Sequence, residues 1–362
     1  MDNGSNDTWD NWDASQRDLY ILNTNGDLVF HENITSGIPS DLESMIINLL
    51  TDDVFQPQTK EQLQTAVDLW ISDNNSALTT YGEINTWDVS LVTDMGELFL
   101  NKSTFNDEIS SWDVSNVIEM DWMFHGASTF NQDLSSWDVS LVENMSHMFS
   151  SSAFNRDLST WNVSSVTNME SMFASTPFNG NVSTWDVSSV VYMTSMFSYA
   201  ESFNQDITSW ETNNVITMQR MFYNAFAFNQ DLSFWDVSSV TEMNFTFGNA
   251  HSFNGNISNW DVSSVTGMKE MFINAGDFNQ DLSMWDVSNV TNMQMMFQNA
   301  SSFDQDLSAW NVSNVTNFNN IFEGTVLLSD ANRCAIHNSW SSNSNWSYDW
   351  LAYCGYFTPP NK

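Results

Sequence analysis

Between residues 81 and about 323 the chain repeats one arrangement of apolar and polar positions. Trp stands at 87, 112, 137, 161, 185, 210, 235, 260, 285 and 310, a spacing of 25 broken only by two steps of 24. Both shorter steps fall just before Phe154 and Phe178, so changes in length occupy a single loop. Residues 112–134 read WDVSNVIEMDWMFHGASTFNQDL, and residues 285–307 read WDVSNVTNMQMMFQNASSFDQDL. The stretch W-D-V-S-x-V alternates through Trp112 and Val114, which predicts a short strand. The spacing then lengthens to three or four through Val117, Met120, Met123 and Phe124, followed by small Ala127, which predicts one or two helical turns. Phe130 and Leu134 close the unit on a second extended stretch. A strand, a short helix and a return make one coil of a solenoid. The expected fold class is an α/β repeat solenoid of about ten 25-residue coils, capped at both ends.

One unit cannot bury its Trp, Val, Met and Phe side chains alone. Stacked on a neighbour, each column meets its own copy, so the regular Met and Trp columns read as core rather than as a cofactor slot. The flanks differ. Residues 1–18 read as a flexible acidic segment, and 19–80 as an N-terminal cap. That cap has a hairpin turning at Asn25-Gly26, a helix opened by Ser40-Asp-Leu-Glu43, and a second helix after Pro57. Thr59 is the expected cap of this last helix, with Leu63, Val67 and Trp70 on one face. Residues 81–323 are the repeats, and 324–362 form a C-terminal cap holding Trp340, Trp346, Trp350 and both cysteines.

Charge narrows the partners. Asp+Glu number 45 against 8 Lys+Arg, a net charge of −37. Such a chain has little with which to neutralise phosphates, which excludes nucleic acid and disfavours anionic membrane surfaces. No apolar run is long enough to span a bilayer, so no direct membrane insertion is expected, and the first twenty residues lack the apolar stretch of a secretory signal. Cys334 and Cys354 fit no zinc or redox spacing and read as a disulfide, which implies an oxidising compartment.

The unit W-D-V-S-x-V-T-x-M-x-x-M-F-x-x-A-x-x-F-N-x-D-L-S resembles the BspA-type leucine-rich-repeat surface proteins, in the 25-residue branch of mycoplasma-type surface repeats. The resemblance implies a leucine-rich-repeat-like fold and an extracellular or cell-surface role in adhesion or ligand binding. It implies no chemistry.

The residues offer few catalytic candidates. The five His occupy unrelated columns, and no nucleophile, phosphate loop or metal-ligand spacing occurs, so an enzyme is not expected. Two acidic columns stand out. One follows Trp and includes Asp88, Asp113, Asp138, Asp186, Asp236, Asp261 and Asp286; the other precedes Leu or Ile and includes Asp133, Asp206 and Asp281. Stacked like charges repel by about 1 kcal/mol per neighbour in water. Either calcium ions offset this, held by hard oxygen ligands, or each Asp caps a turn by accepting backbone N–H bonds. Asn162 and Asn311 in the first column keep the acceptor without the charge, which favours the cap. Fifteen Asn-x-Ser/Thr sequons are present, and Asn33, Asn101, Asn144, Asn289 and Asn299 are the candidate N-glycosylation sites. The functional expectation is an extracellular, non-enzymatic solenoid that binds a protein or glycan at a surface. A self-associating filament or coat subunit, with or without calcium, is the alternative.

Overall fold

The computed structural model describes residues 18–22, 28–33 and 54–355. The chain divides into two units, residues 1–55 and 56–362. In the first, β1 (Asp18–Leu22) pairs antiparallel with β2 (Leu28–Asn33), Tyr20 opposite His31 and Ile21 opposite Phe30. The turn expected at Asn25-Gly26, the helix expected from Ser40 and residues 1–17 of the acidic segment lie outside the described residues.

The second unit opens with α1 (Lys60–Ser72), where the Thr59 side chain accepts from the N–H of Gln62. Leu63, Ala66, Val67 and Trp70 form its buried face, at the spacing that predicts it. Asp73 caps α2 (Asn74–Tyr81) through the N–H of Ser76. A short 3-10 turn, Ile84–Thr86, leads into the repeats.

The repeats correct the expected fold. Among the described residues no strand and no helix lies between Trp87 and Ser329, so the chain is not an α/β solenoid of strand-plus-helix coils. The expected strand at W-D-V-S-x-V is a turn, in which Val117 N–H donates to the Val114 carbonyl. The expected helix is a run of turns with a different destination for alternate N–H groups. Met120, Trp122, Phe124 and Gly126 donate to Asn144, Ser146, Met148 and Ser150 of the next unit, while Met123, His125 and Ala127 donate three residues back within their own. An α-helix would keep all of these bonds inside itself. Dividing them ties each unit to the next by main chain, and it requires a left-handed residue every fourth position. Trp122 (φ 57°) and Gly126 (φ 69°) are that pair, and their equivalents recur in all ten units. The left-handed backbone is incompatible with a helix.

Successive units are joined by single parallel bridges, Asp94 to Glu119, Glu119 to Asn144, and onward to Asn317. Inside, each apolar column contacts its own copy. Phe124 stacks on Phe149 at 5.6 Å and Trp185 on Trp210 at 6.2 Å. Within one unit, Phe124 and Phe130 stack at 3.9 Å. The Trp columns also carry a polar tie: Trp137 Nε1 donates to the Ile109 carbonyl and Trp210 Nε1 to the Val182 carbonyl, each buried indole N–H satisfied by an acceptor 28 residues earlier.

Both ends of the stack are covered. α1 lies on the first unit through Lys60 to Asp94 (2.8 Å), Gln64 to the Leu98 carbonyl (3.1 Å) and Trp70 Nε1 to Asp107 (2.8 Å). At the other end α3 (Asp330–Trp340) places Trp340 on Trp310 at 6.0 Å, with its Nε1 on the Leu307 carbonyl. Trp346 and Trp350 close over Phe322, and Cys334 is bonded to Cys354 (Cα–Cα 4.9 Å).

Candidate functional site

The bridge ladder presents outward the residues between the buried Met, Phe and Ala columns. Those buried columns hardly vary, whereas the outward positions change from unit to unit. The first left-handed column reads Glu97, Trp122, His147, Ser171, Ser195, Arg220, Phe245, Glu270, Met295 and Asn320. Its backbone is dictated by the architecture, because every unit shares it. Its side chains are not.

Two clusters arise there. In the first, Trp122 stacks on His147 at 3.9 Å and meets His125 edge-on at 4.5 Å. The Nδ1 atoms of His125 and His147 are buried without a hydrogen-bond partner among the described residues. Burial holds both imidazoles below their ordinary range; at His147 the neighbouring His125 lowers it further, and Asp121 opposes the shift.

The second cluster is a shallow trough of about 410 Å³, lined by Ser171, Ala174, Ser195, Ser198, Tyr199, Arg220, Tyr223 and Phe245. Main-chain bonds between units set its register: Tyr199 N–H to the Tyr223 carbonyl, Arg220 to Asn244 and Phe245 to Lys269. The Arg220 guanidinium lies 4.9 Å from the centre of the Phe245 ring, and Lys269 Nζ lies 5.3 Å from the same ring. Such contacts stabilise by about 0.5–1 kcal/mol at exposed sites. Tyr223 meets Tyr199 at 5.5 Å and Phe245 at 5.8 Å, both edge-on. Gly248 makes room for it, since a Cβ there would fall 2.9 Å from the Tyr223 ring. Sequence reading missed this site. Its signal was available as Arg220 and Phe245 in one column, 25 residues apart, with a second basic residue, Lys269, just before the next position of that column.

The acidic columns are turn caps. Oδ1 of Asp88, Asp113, Asp138, Asp186, Asp236, Asp261 and Asp286 accepts the backbone N–H of the Ser two residues on, at 3.0–3.1 Å. Asn162 makes the same bond to Ser164 at 3.2 Å. Hydrogen bonds from the Ser hydroxyl, then from its N–H, hold Asp88, Asp138, Asp186, Asp236 and Asp286 below the usual carboxylate range. Among the described residues no group of three or more His, Cys, Asp or Glu is arranged to hold a metal.

The sequons differ in surroundings. Asn101, Asn289 and Asn299 are exposed and Asn144 is half-buried; Asn33 ends β2. Asn289 Nδ2 donates to the Ser263 carbonyl and Asn299 Nδ2 to Asn274 Oδ1.

A family model described as Mycoplasma protein of unknown function, DUF285, matches residues 70–177, 151–254 and 227–333. No curated protein matches the chain, and no solved structure does. Three overlapping matches running from residue 70 to 333 cover most of the chain, which therefore belongs to this mycoplasma-type repeat family.

Proposed function

We propose that this chain is an extracellular or cell-surface, non-enzymatic binding protein that engages a protein or glycan partner along its bridge-ladder face. The observation that carries the reading is the contrast on that face: constant columns beneath, and above them Trp122, His147, Tyr199, Arg220, Tyr223 and Phe245, each used once. Exposed aromatics and arginine are the residues that anchor interfaces. The Cys334–Cys354 bond supports an oxidising compartment, and with it the BspA-type surface branch. Calcium, if bound, would act on the folded stack rather than in chemistry.

Self-association is the second reading, favoured by Phe234 and Met284, which are 80% and 84% exposed in one column two units apart. The covered ends oppose end-to-end growth. Binding to an array of glycans and a panel of extracellular-matrix proteins tests the two. The double variant Trp122→Ala/Tyr223→Ala should lose binding while Phe234→Ala keeps it. Unchanged binding by the double variant would sink the ladder-face reading. Concentration-dependent assembly abolished by Phe234→Ala/Met284→Ala would replace it with the second.

A further inference from the structure

We propose that the trough at Arg220 binds a carboxylate-bearing sugar residue, with the guanidinium as the carboxylate contact; this rests on the reading of the ladder face as a binding surface. The argument begins with Arg220's lack of partners. In a chain with 45 acidic residues against 8 basic ones, a cation would be expected to face a carboxylate. Lys60, Lys102, Lys269 and Arg333 each do so, paired with Asp94, Asp68, Glu270 and Asp330. Arg156 donates to the Asn131 carbonyl. The Arg220 guanidinium alone among these has no hydrogen-bond or ion-pair partner among the described residues, and the Phe245 ring lies against it.

That arrangement suits an acidic ligand. The ring fixes the plane of the guanidinium without consuming its N–H donors, which remain as a fork that matches a carboxylate's two oxygens. Nearby Lys269 adds positive potential, partly offset by Glu270 at 3.3 Å. The rest of the lining points to a sugar rather than a peptide. Tyr199 and Tyr223 offer flat faces for the apolar C–H side of a pyranose ring, and their hydroxyls can bond to its rim. Ser171, Ser195 and Ser198 line the floor with hydroxyls that both donate and accept, matching the mixed character of sugar hydroxyls. The room over Gly248 lets Tyr223 take its place in this wall. The net charge of −37 repels an acidic ligand at long range, but salt screens that repulsion beyond about 10 Å while leaving the direct contact largely intact. Binding should therefore strengthen as salt rises from low values, the reverse of a purely electrostatic attraction.

Titration calorimetry of the full chain with tri-galacturonate, its methyl ester, a neutral galactose trisaccharide and a Glu-Gly-Glu peptide tests the proposal. Tri-galacturonate should bind, its ester and the neutral sugar at least about tenfold more weakly, and the peptide more weakly still. Arg220→Ala should weaken tri-galacturonate about tenfold or more and reduce its advantage over the ester, with Arg220→Lys recovering part of it. Arg220 is exposed, so folding is not at stake, and circular dichroism of each variant verifies this. No tri-galacturonate binding, or binding indifferent to Arg220→Ala, would overturn the proposal. Equal binding of the peptide would overturn the sugar assignment. If Arg220→Ala keeps the array or matrix-protein binding that Trp122→Ala/Tyr223→Ala abolishes, this inference fails and the ladder-face reading stands.

Discussion

Asn155 donates its backbone N–H to the side-chain Oδ1 of Asn131 at 2.9 Å, and the bond recurs through the stack. Asn131 donates likewise to Asn106, Asn179 to Asn155, Asn204 to Asn179, and so on to Asp304, which accepts from Ser329 at the start of α3. A side-chain ladder thus fastens the edge of the units opposite in character to the bridge ladder, and its last rung docks the C-terminal cap. Asn204→Ala removes the acceptor for Asn229 N–H and Gln230 Nε2. Because the site is exposed and water can substitute, the expected cost is about 1 kcal/mol. Asn204→Asp should cost less, since Asp304 already serves as a rung. Chemical denaturation of the two variants measures the difference.

The left-handed positions make a sharper forecast. Asn224 has φ 59° and is buried. A β-branched side chain resists that conformation, so Asn224→Val should destabilise by about 1–3 kcal/mol. Asn224→Gly should be nearly neutral. Comparable loss in both variants would place the cost in side-chain contacts instead of backbone conformation.

Trp210 is 1% exposed, stacks on Trp185 and Trp235 at 6.2 Å, and donates to the Val182 carbonyl. Trp210→Ala should cost about 3–5 kcal/mol. Coupling runs between neighbours, so limited proteolysis should cut first in the adjoining units.

Acid should act through the turn caps. Asp88, Asp138, Asp186, Asp236 and Asp286 sit below the ordinary carboxylate range, so the unfolded chain binds more protons in acid. Their contribution is present above the unfolded pKa near 3.9 and is lost as pH falls through the folded values. Between pH 7 and the isoelectric point near 4.1, falling net charge acts in the opposite sense. Tm should therefore rise on mild acidification and drop below about pH 4. Asp236→Asn should keep the cap, as Asn162 does, and Asp236→Ala should lose it. Capping alone predicts the same Tm in millimolar calcium as in monovalent salt of matched ionic strength. A calcium-specific rise would assign the columns to the ion.

The Cys334–Cys354 bond closes a loop of separation 20 between α3 and the 3-10 turn Leu351–Cys354. Reduction should remove about 3 kcal/mol from the C-terminal cap. Protease sensitivity after residue 340 should rise while the central units stay protected. Mass spectrometry of unreduced peptides verifies the link first.

The sequence by itself determined the period and the core columns. Trp, Val, Met and Phe recur every 25 residues because each must contact its own copy, so their burial was legible at Trp112, Met120 and Phe124 without coordinates. Thr59, Leu63, Val67 and Trp70 marked α1 equally well. Only the tertiary structure decided what the backbone does between those columns. Met120, Met123 and Phe124 have helical spacing, yet alternate N–H groups bond to the next unit, a partner that local spacing cannot see. One clue lay in the second left-handed column, where Asn101, Asn224, Asn249, Asn274 and Asn299 join Gly126 and Gly324, the residues that best tolerate φ above zero. The trough was hidden for the same reason. Tyr199, Arg220 and Phe245 are 21 and 25 residues apart along the chain, and only the main-chain register between units brings an arginine onto a ring beside two tyrosines.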